Sequence, residues 1–167
     1  MSTLREIDIN LKSLPQHPSI MESKEVIVDN WDRLFVVMEH VEINLERLMA
    51  IRRQPMHPNE VKCMMKQLFD GIKFLHENGV MHRDLKPSNI LINKKGEVKI
   101  RDFGLSHQFK SESGSYNSRV VTLWYRALEI LAGVETYSTK IDMWSIGCIM
   151  AELLLKEVLF KWRCDLV

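Results

Sequence analysis

The chain has 167 residues, of which 46% are apolar and 27% charged, and its formal net charge is +1. This length suffices for one domain with a buried core, and the composition is that of an ordinary globular protein. The balanced charge gives no electrostatic reason to expect nucleic acid or a membrane surface as a partner. The longest apolar stretch, near residues 146–155, is interrupted by Glu152 and is too short to span a bilayer.

The cysteine usage and the N-terminal residues indicate the compartment. The three cysteines, Cys63, Cys148 and Cys164, lie far apart and lack the spacing of a metal site. An odd set without pairing logic is typical of a reducing compartment. The beginning of the chain is charged and mixed in character, which argues against a signal peptide.

The first predicted element is a helix over residues 2–14. Its apolar side chains Leu4, Ile7 and Leu11 fall on one stripe at helical spacing. Pro15 ends it, because proline cannot continue a helix.

Two short β-type runs and a short helix come next. The runs lie at 26–28 and 34–38, and the turn-forming pair Asp29-Asn30 separates them. Asn44 is then predicted to cap a helix that runs through Ala50, because its side chain can accept a backbone N–H of the first turn.

The clearest helical pattern follows Pro58. Asn59 is predicted to be its N-cap, and the pair Asn78-Gly79 is predicted to end it. Apolar residues recur at helical spacing along one face, which predicts a helix packed on a core through that face. These residues are Val61, Met64, Met65, Leu68, Ile72 and Leu75.

The most informative feature is the run His82-Arg83-Asp84-Leu85-Lys86-Pro87-Ser88-Asn89, followed by Asp102-Phe103-Gly104. Phosphoryl transfer needs an aligned hydroxyl, neutralised phosphate charge and held magnesium. Asp84 can accept the hydroxyl proton, and Lys86 can neutralise the transferring phosphate. Asn89 and Asp102 can hold a metal ion.

A β-hairpin is predicted to bring the two metal-binding candidates together. The runs at 90–92 and 98–100 have strand character, and residues 93–96 form the turn between them. Because a hairpin places its outer ends side by side, Asn89 and Asp102 become neighbours. Their oxygen ligands suit a hard cation such as Mg²⁺.

The last part of the chain is predicted to contain a loop and a helix. Residues 106–120 are polar and rich in serine, which predicts a mobile loop. Ser138 or Thr139 starts a helix that runs to about Leu155 and is apolar on nearly all sides, as in a helix buried inside something larger.

With these motifs the chain resembles a cyclin-dependent kinase, most closely the PITSLRE branch with its plant G-type members. The resemblance covers residue 2 to about residue 160. It implies an α+β fold class, a partial protein-kinase fold made mainly of the helical C-lobe, with the αC helix and a remnant of the N-lobe sheet. The motifs that carry it are residues 2–7, the two runs above with Leu105, residues 120–127, residues 137–139 and residues 142–145.

The resemblance also implies domain boundaries. Residues 1–38 correspond to the N-lobe remnant with αC, 39–43 to the hinge between the lobes, and 44–160 to the C-lobe through the helix called αF. Residues 161–167 form a divergent tail.

The resemblance assigns the chemistry of the site, with ATP and Mg²⁺ as cofactors. The implied catalytic residues are Asp84, Lys86 and Thr122. The implied ATP contacts are Glu6, Met38, Glu39, Val41, Leu91 and Asp102. The implied metal ligands are Asn89 and Asp102.

Further residues are assigned to structure and to partners. The implied structural residues are His82, Arg83, Glu129 and Asp142. A cyclin is expected to bind αC through Thr3, Leu4 and Arg5. Protein substrates with a Ser/Thr-Pro site are expected to meet a wall of Val120, Val121 and Arg126. The family resemblance implies a nuclear or cytoplasmic location.

Three positions depart from the family pattern. Arg101 replaces a small residue that faces the nucleotide; it is either a solvated arginine or a side chain that crowds ATP or pairs with Asp102. Asn117 replaces the phosphorylated threonine of the activation loop and cannot accept a phosphate. Ala127-Leu128-Glu129 replaces the Ala-Pro-Glu motif, and Glu129 is expected to lack its usual arginine.

The sequence begins at the αC region, without a glycine-rich loop or the lysine that pairs with Glu6. An active kinase needs that pair and the metal-binding Asp in place, so weak or absent turnover is expected. The alternatives are a pseudokinase-type module that binds a cyclin or a substrate, and a truncated product without function. The predicted C-terminal helix is also expected to expose apolar surface that favours association.

Overall fold

A computed structural model of the chain describes residues 14–31, 33–108, 123–134 and 136–161. The predicted N-terminal helix over 2–14 therefore lies outside the described residues, apart from Leu14, which is not helical. No described helix is long and apolar enough to cross a membrane.

The described elements are short strands and helices. The strands are β1 (Ser23–Val28), β2 (Leu34–Met38), β3 (Ile43–Asn44), β4 (Val80–Met81), β5 (Ile90–Ile92), β6 (Val98–Ile100) and β7 (His107–Gln108). The helices are α1 (Leu45–Ile51), α2 (Pro58–Glu77), α3 (Leu128–Leu131) and α4 (Lys140–Leu155), with single 3₁₀ turns at Pro87–Asn89 and Leu123–Tyr125. The antiparallel sheets are β1-β2, β3-β5-β6 and β4-β7.

The β1-β2 hairpin and α1 form where the sequence predicts them. β1 begins three residues earlier than expected, at Ser23. The turn after it is closed by Asp29, whose Oδ1 accepts the N–H of Arg33 at 2.9 Å. Asn44 caps α1 by accepting the N–H of Arg47 at 2.8 Å, as predicted.

The predicted N-cap of α2 is wrong by two residues. The helix begins at Pro58, and its N-cap is His57, whose Nδ1 accepts the N–H of Asn59 at 3.2 Å. The Glu60 carboxylate accepts the N–H of His57 at 2.9 Å and completes a capping box. Proline favours the first helical position because it has no N–H to satisfy, and the cap therefore falls one residue before it.

α2 is the central element of the core. Its buried face carries five of the six predicted residues, with Leu75 fully buried and Ile72 1% exposed, while Met64 is half-buried against the core. The face packs on α4 and β6. The helix ends at the predicted pair, where Gly79 has φ +76°.

The extended segment before β1 docks on the hairpin of β5 and β6. Ile100 donates its N–H to the Ser19 carbonyl at 2.8 Å and accepts the N–H of Met21 at 2.8 Å. The segment also presses against Gly71 of α2, where an added Cβ would lie 3.0 Å from the Ser19 Cβ. α2, β6 and this segment thus form one tightly packed unit.

The prediction of a mobile loop over 106–120 is wrong for its first residues. Ser106 is fully buried, and its hydroxyl donates to the His82 carbonyl at 3.2 Å. β7 pairs with β4, which satisfies backbone groups that a loop would leave to water. Residues 109–120 of the predicted loop lie outside the described part of the chain.

α4 is buried on one side and exposed on the other. It begins at Lys140, within two residues of the prediction, and Ile146 and Ile149 on its inner side are fully buried. Met143 is 44% exposed and Leu155 59% exposed on the outer side. The expected exposed apolar surface is therefore present, and the helix is not covered all round.

Candidate active site

The segment between β4 and β5 holds the Asp84 carboxylate in place. Lys86 Nζ lies 2.8 Å from Asp84 Oδ2, and Asn89 Nδ2 donates to the same oxygen at 3.2 Å. Asn89 Nδ2 also donates to the Asp84 carbonyl at 2.9 Å. The Asp84 side chain is only 10% exposed, so a lysine and an amide fix a carboxylate that still reaches the surface.

The β5-β6 hairpin brings Asn89 and Asp102 to the same end, as predicted. Arg101 donates its N–H to the Asn89 carbonyl at 3.0 Å, and Asp102 follows directly. Asp102 is exposed and has φ +69°, a conformation that is strained for a residue other than glycine and that clusters at functional sites.

The oxygens of Asn89 and Asp102 fit Mg²⁺, which usually takes one or two protein ligands and completes its shell with water and phosphate. In the described ranges no group of three His, Cys, Asp or Glu side chains could hold a metal ion. The donor set therefore favours a hard cation shared with a phosphate over a closed protein cage.

The Arg101 side chain is exposed, and none of the ion pairs between described residues joins it to Asp102. Its backbone is nevertheless engaged, because its carbonyl oxygen lies 3.0 Å from His82 Nε2. The geometry favours the solvated interpretation of Arg101.

The Asp142 carboxylate of α4 anchors the start of the segment that carries Asp84. This carboxylate is 1% exposed and accepts the N–H of His82 at 2.9 Å and the N–H of Arg83 at 2.8 Å. His76 Nε2 from the end of α2 lies 2.8 Å from Asp142 Oδ2. Sequence reasoning missed His76, although its place in the last turn of a helix that faces α4 was a usable signal.

His82 is built into the interior, and the neighbouring Arg83 is half-buried. The His82 ring is fully buried, 5.2 Å from the Phe103 ring between centroids. Arg83 has φ +68°, and its Nε donates to the Leu105 carbonyl at 2.6 Å. Both residues therefore connect the Asp84 segment to the Asp102 segment.

The candidate adenine-binding residues lie where β2 meets the β5-β6 hairpin. Met38 ends β2, and the Glu39 carboxylate pairs with Lys99 Nζ at 2.8 Å. Lys99 is opposite Leu91 in the sheet, and Val41 is half-buried. Lys99 was missed, although the alternation of 98–100 places it on the face opposite its apolar neighbours.

The turn before α3 is hydrogen-bonded to α4 through Tyr125. Its hydroxyl donates to Glu152 Oε2 at 2.6 Å, and its carbonyl accepts the Ser145 hydroxyl at 2.7 Å. Burial raises the pKa of Tyr125, and burial together with the Glu46 charge raises the pKa of Glu152. Arg126 and Glu129 follow the turn and are half-buried.

This geometry predicts a pH effect on stability. The Glu152 pKa is raised above its ordinary 4.5 in the folded chain, so its contribution to folding is greatest below that pH and falls as pH rises through the folded pKa. Glu152→Gln keeps an acceptor for Tyr125 and removes the titration. We expect the variant to gain stability relative to wild type between about pH 4 and pH 7 in urea unfolding.

The control for this experiment is Glu157→Gln at an exposed position just after α4. Its stability relative to wild type should change little over the same pH range. A constant difference between Glu152→Gln and wild type across the range would contradict the prediction.

Several predicted site residues lie outside the described part of the chain, and their predicted roles stay predictions. They are Thr3, Leu4, Arg5, Glu6, Asn117, Val120, Val121 and Thr122. The structure brings together Asp84, Lys86, Asn89, Asp102, His82, Arg83 and Asp142.

The fold and this arrangement agree with comparisons to known proteins. The family model described as "Protein kinase domain" matches residues 1–165, so the chain belongs to the protein kinase family, and its relatives place it among the cyclin-dependent kinases. It is 54% identical over 166 residues to cyclin-dependent kinase G-2 of Oryza sativa subsp. japonica, covering 99% of this chain and 23% of the relative. It is 46% identical over 167 residues to cyclin-dependent kinase 11B of Homo sapiens, covering 99% of this chain and 21% of the relative.

A solved structure gives the same result for the fold. The yeast RNA Pol II CTD kinase CTDK-1 complex contains a chain that superposes with a TM-score of 0.88 at 36% identity, covering 99% of this chain and 53% of that chain. The predicted kinase fold and the predicted similarity to the PITSLRE and plant G-type kinases are confirmed. The chain spans about a quarter of the length of the curated relatives it matches, 23% for the rice kinase.

Proposed function

We propose that this chain carries the phosphoryl-transfer part of a cyclin-dependent serine/threonine kinase that uses Mg²⁺ and ATP. The main support is the Asp84 carboxylate, which Lys86 and Asn89 hold while Asp102 stands at the same end of the hairpin. Serine or threonine followed by proline is the proposed target, with a cyclin as the partner that binds αC. The proposed location is the nucleus or the cytoplasm.

Each residue has a distinct part in the proposed reaction. Asp84 accepts the proton of the substrate hydroxyl, which points the attacking oxygen at the γ-phosphate. Lys86 neutralises charge that develops on the transferring group. Asn89 and Asp102 would hold Mg²⁺, which supplies charge neutralisation between the phosphates when it is bound.

We expect transfer by these 167 residues alone to be weak or absent. Residues 1–5 contain no lysine and no glycine-rich loop, the two features that the family uses to hold the ATP phosphates in front of Glu6. Magnesium-dependent ATP binding is the more sensitive test of the site, because it does not need the complete set of groups that turnover needs.

The direct test is transfer of labelled phosphate from ATP to a Ser/Thr-Pro peptide, with Mg²⁺ and a cyclin present. Asp84→Asn should lower the rate by roughly 10²- to 10⁴-fold, the usual value of a general base. Asp70→Asn, on the exposed side of α2, should leave the rate unchanged. Equal rates for wild type and Asp84→Asn, both clearly above the background without enzyme, would overturn the proposed role.

A binding role without turnover is the second candidate, because holding a cyclin through αC does not need the groups that phosphate transfer needs. In that case the chain would retain a cyclin through αC. A cyclin pull-down that is lost on Arg5→Ala or Glu6→Ala, together with no measurable phosphate transfer, would support the binding role over the enzyme role.

A further inference from the structure

The candidate active site contains two strained backbone positions, Arg83 and Asp102. Arg83 has φ +68° and Asp102 has φ +69°, and both are non-glycine residues in the left-handed region. Such conformations persist only where the surrounding structure holds them. The contacts that hold these two residues therefore bear directly on where the proposed metal ligand lies.

Two hydrogen bonds tie the Asp84 segment to the Asp102 segment, one on each side of Asp102. His82 Nε2 donates to the Arg101 carbonyl at 3.0 Å, and Arg83 Nε donates to the Leu105 carbonyl at 2.6 Å. The chain around Asp102 is thus fixed one residue before and three residues after it. The second bond depends on the orientation of the Arg83 guanidinium.

Tyr137 holds that guanidinium from the other side. It lies in the loop before α4, is half-buried, and its hydroxyl accepts a hydrogen bond from Arg83 Nη1 at 2.9 Å. A guanidinium is planar, so a partner at Nη1 also sets the direction in which Nε donates. Arg83 and Tyr137 make other contacts too, so the question is what the hydroxyl itself contributes.

We propose that Tyr137 is a positioning residue that sets the Asp102 segment through Arg83. Its hydroxyl orients the guanidinium toward the Leu105 carbonyl, and that bond fixes the strained backbone of the metal ligand. A residue in the loop before α4 thereby influences the proposed metal ligand Asp102, at the end of the β5-β6 hairpin. The expected effect on metal binding rests on the proposed function. The effect of Tyr137 on the backbone around Asp102 does not.

The structural step is tested by hydrogen exchange of the wild-type chain and Tyr137→Phe, which keeps the ring and removes the hydroxyl. Exchange at the amides of residues 104–106 should become roughly two- to tenfold faster, the effect of one hydrogen bond. Tyr125→Phe is the matched control, because it loses a phenol bonded to Glu152 and should leave these amides unchanged. Unchanged exchange at 104–106 in Tyr137→Phe, or equally faster exchange throughout the chain, would overturn the proposal.

A second variant tests whether the effect passes through Arg83. Arg83→Lys keeps the charge but cannot bond the Leu105 carbonyl and the Tyr137 hydroxyl together in a fixed plane. It should show the same faster exchange, and adding Tyr137→Phe should then change nothing further. Independent, additive effects of the two substitutions would contradict the proposed connection.

The consequence for metal is measured with Mn²⁺ as the probe, in the presence of ATP. Tyr137→Phe should weaken Mn²⁺ binding roughly tenfold, as outer partners of metal ligands do, and Tyr125→Phe should not. Equal affinity in wild type and Tyr137→Phe would overturn the metal part of the proposal. A wild-type chain that binds no Mn²⁺ contradicts the proposed function instead, while the exchange comparison still decides the role of Tyr137.

Discussion

Asp142→Asn is expected to lower the free energy of unfolding by about 3 kcal/mol, because it places an amide N–H₂ or a weaker acceptor against buried donors. The Asp142 carboxylate, itself 1% exposed, accepts the N–H groups of His82 and Arg83 and contacts His76. An asparagine has only one oxygen for these partners. Urea unfolding of both proteins at constant pH measures the difference.

The control for Asp142→Asn is Asp70→Asn, an identical change on the exposed side of α2. It should alter the free energy of unfolding by less than about 0.5 kcal/mol, as surface substitutions usually do. A loss below about 1 kcal/mol for Asp142→Asn would mean that this carboxylate does not organise the start of the Asp84 segment.

Gly71→Ala is expected to destabilise the chain by about 1–2 kcal/mol, although alanine is the better helix former. The added Cβ would lie 2.9 Å from the Ile100 Cδ1 and 3.0 Å from the Ser19 Cβ. Ile100 is fully buried and Ser19 is held by its carbonyl, so neither can move aside freely. Thermal or urea unfolding measures the change.

Gly147→Ala in α4 is the matched control, because a Cβ there would meet no atom within 4 Å. This variant should be more stable than wild type by up to about 1 kcal/mol, the helix propensity of alanine over glycine. The two substitutions are chemically identical and differ only in their surroundings. A stabilising effect at both positions would show that α2 and the Ser19 segment are packed less closely than the structure indicates.

The chemical groups of the site could be predicted from the sequence because they lie within two short runs. The run from His82 to Asn89 carries most of them in local order, and the predicted hairpin alone brings Asp102 to Asn89. The hairpin is local, so strand character and a turn suffice to predict it. The predicted N-cap of α2 was wrong for a local reason, because Pro58 occupies the first helical position and the cap is therefore His57.

The long-range contacts that hold the site residues in place were harder to predict from the sequence. His76 reaches Asp142 across 66 residues, Lys99 of β6 pairs with Glu39 just after β2, and Tyr137 reaches Arg83 across 54 residues. Local patterns place His76 at a helix end and Lys99 on one face of a strand, but no local pattern identifies a partner so far along the chain. Likewise, Ser106 looked like part of a polar loop, but strand pairing and burial place it inside.

The sequence by itself therefore predicted the proposed class of chemistry and the residues proposed to perform it, because these side chains lie close together along the chain. Only the tertiary structure decided how those side chains are held. α4 supplies the carboxylate that fixes the start of the Asp84 segment, and the loop before α4 supplies the hydroxyl that orients Arg83. These contacts join distant parts of the chain, and burial of the helices against one another is what brings them within hydrogen-bond distance.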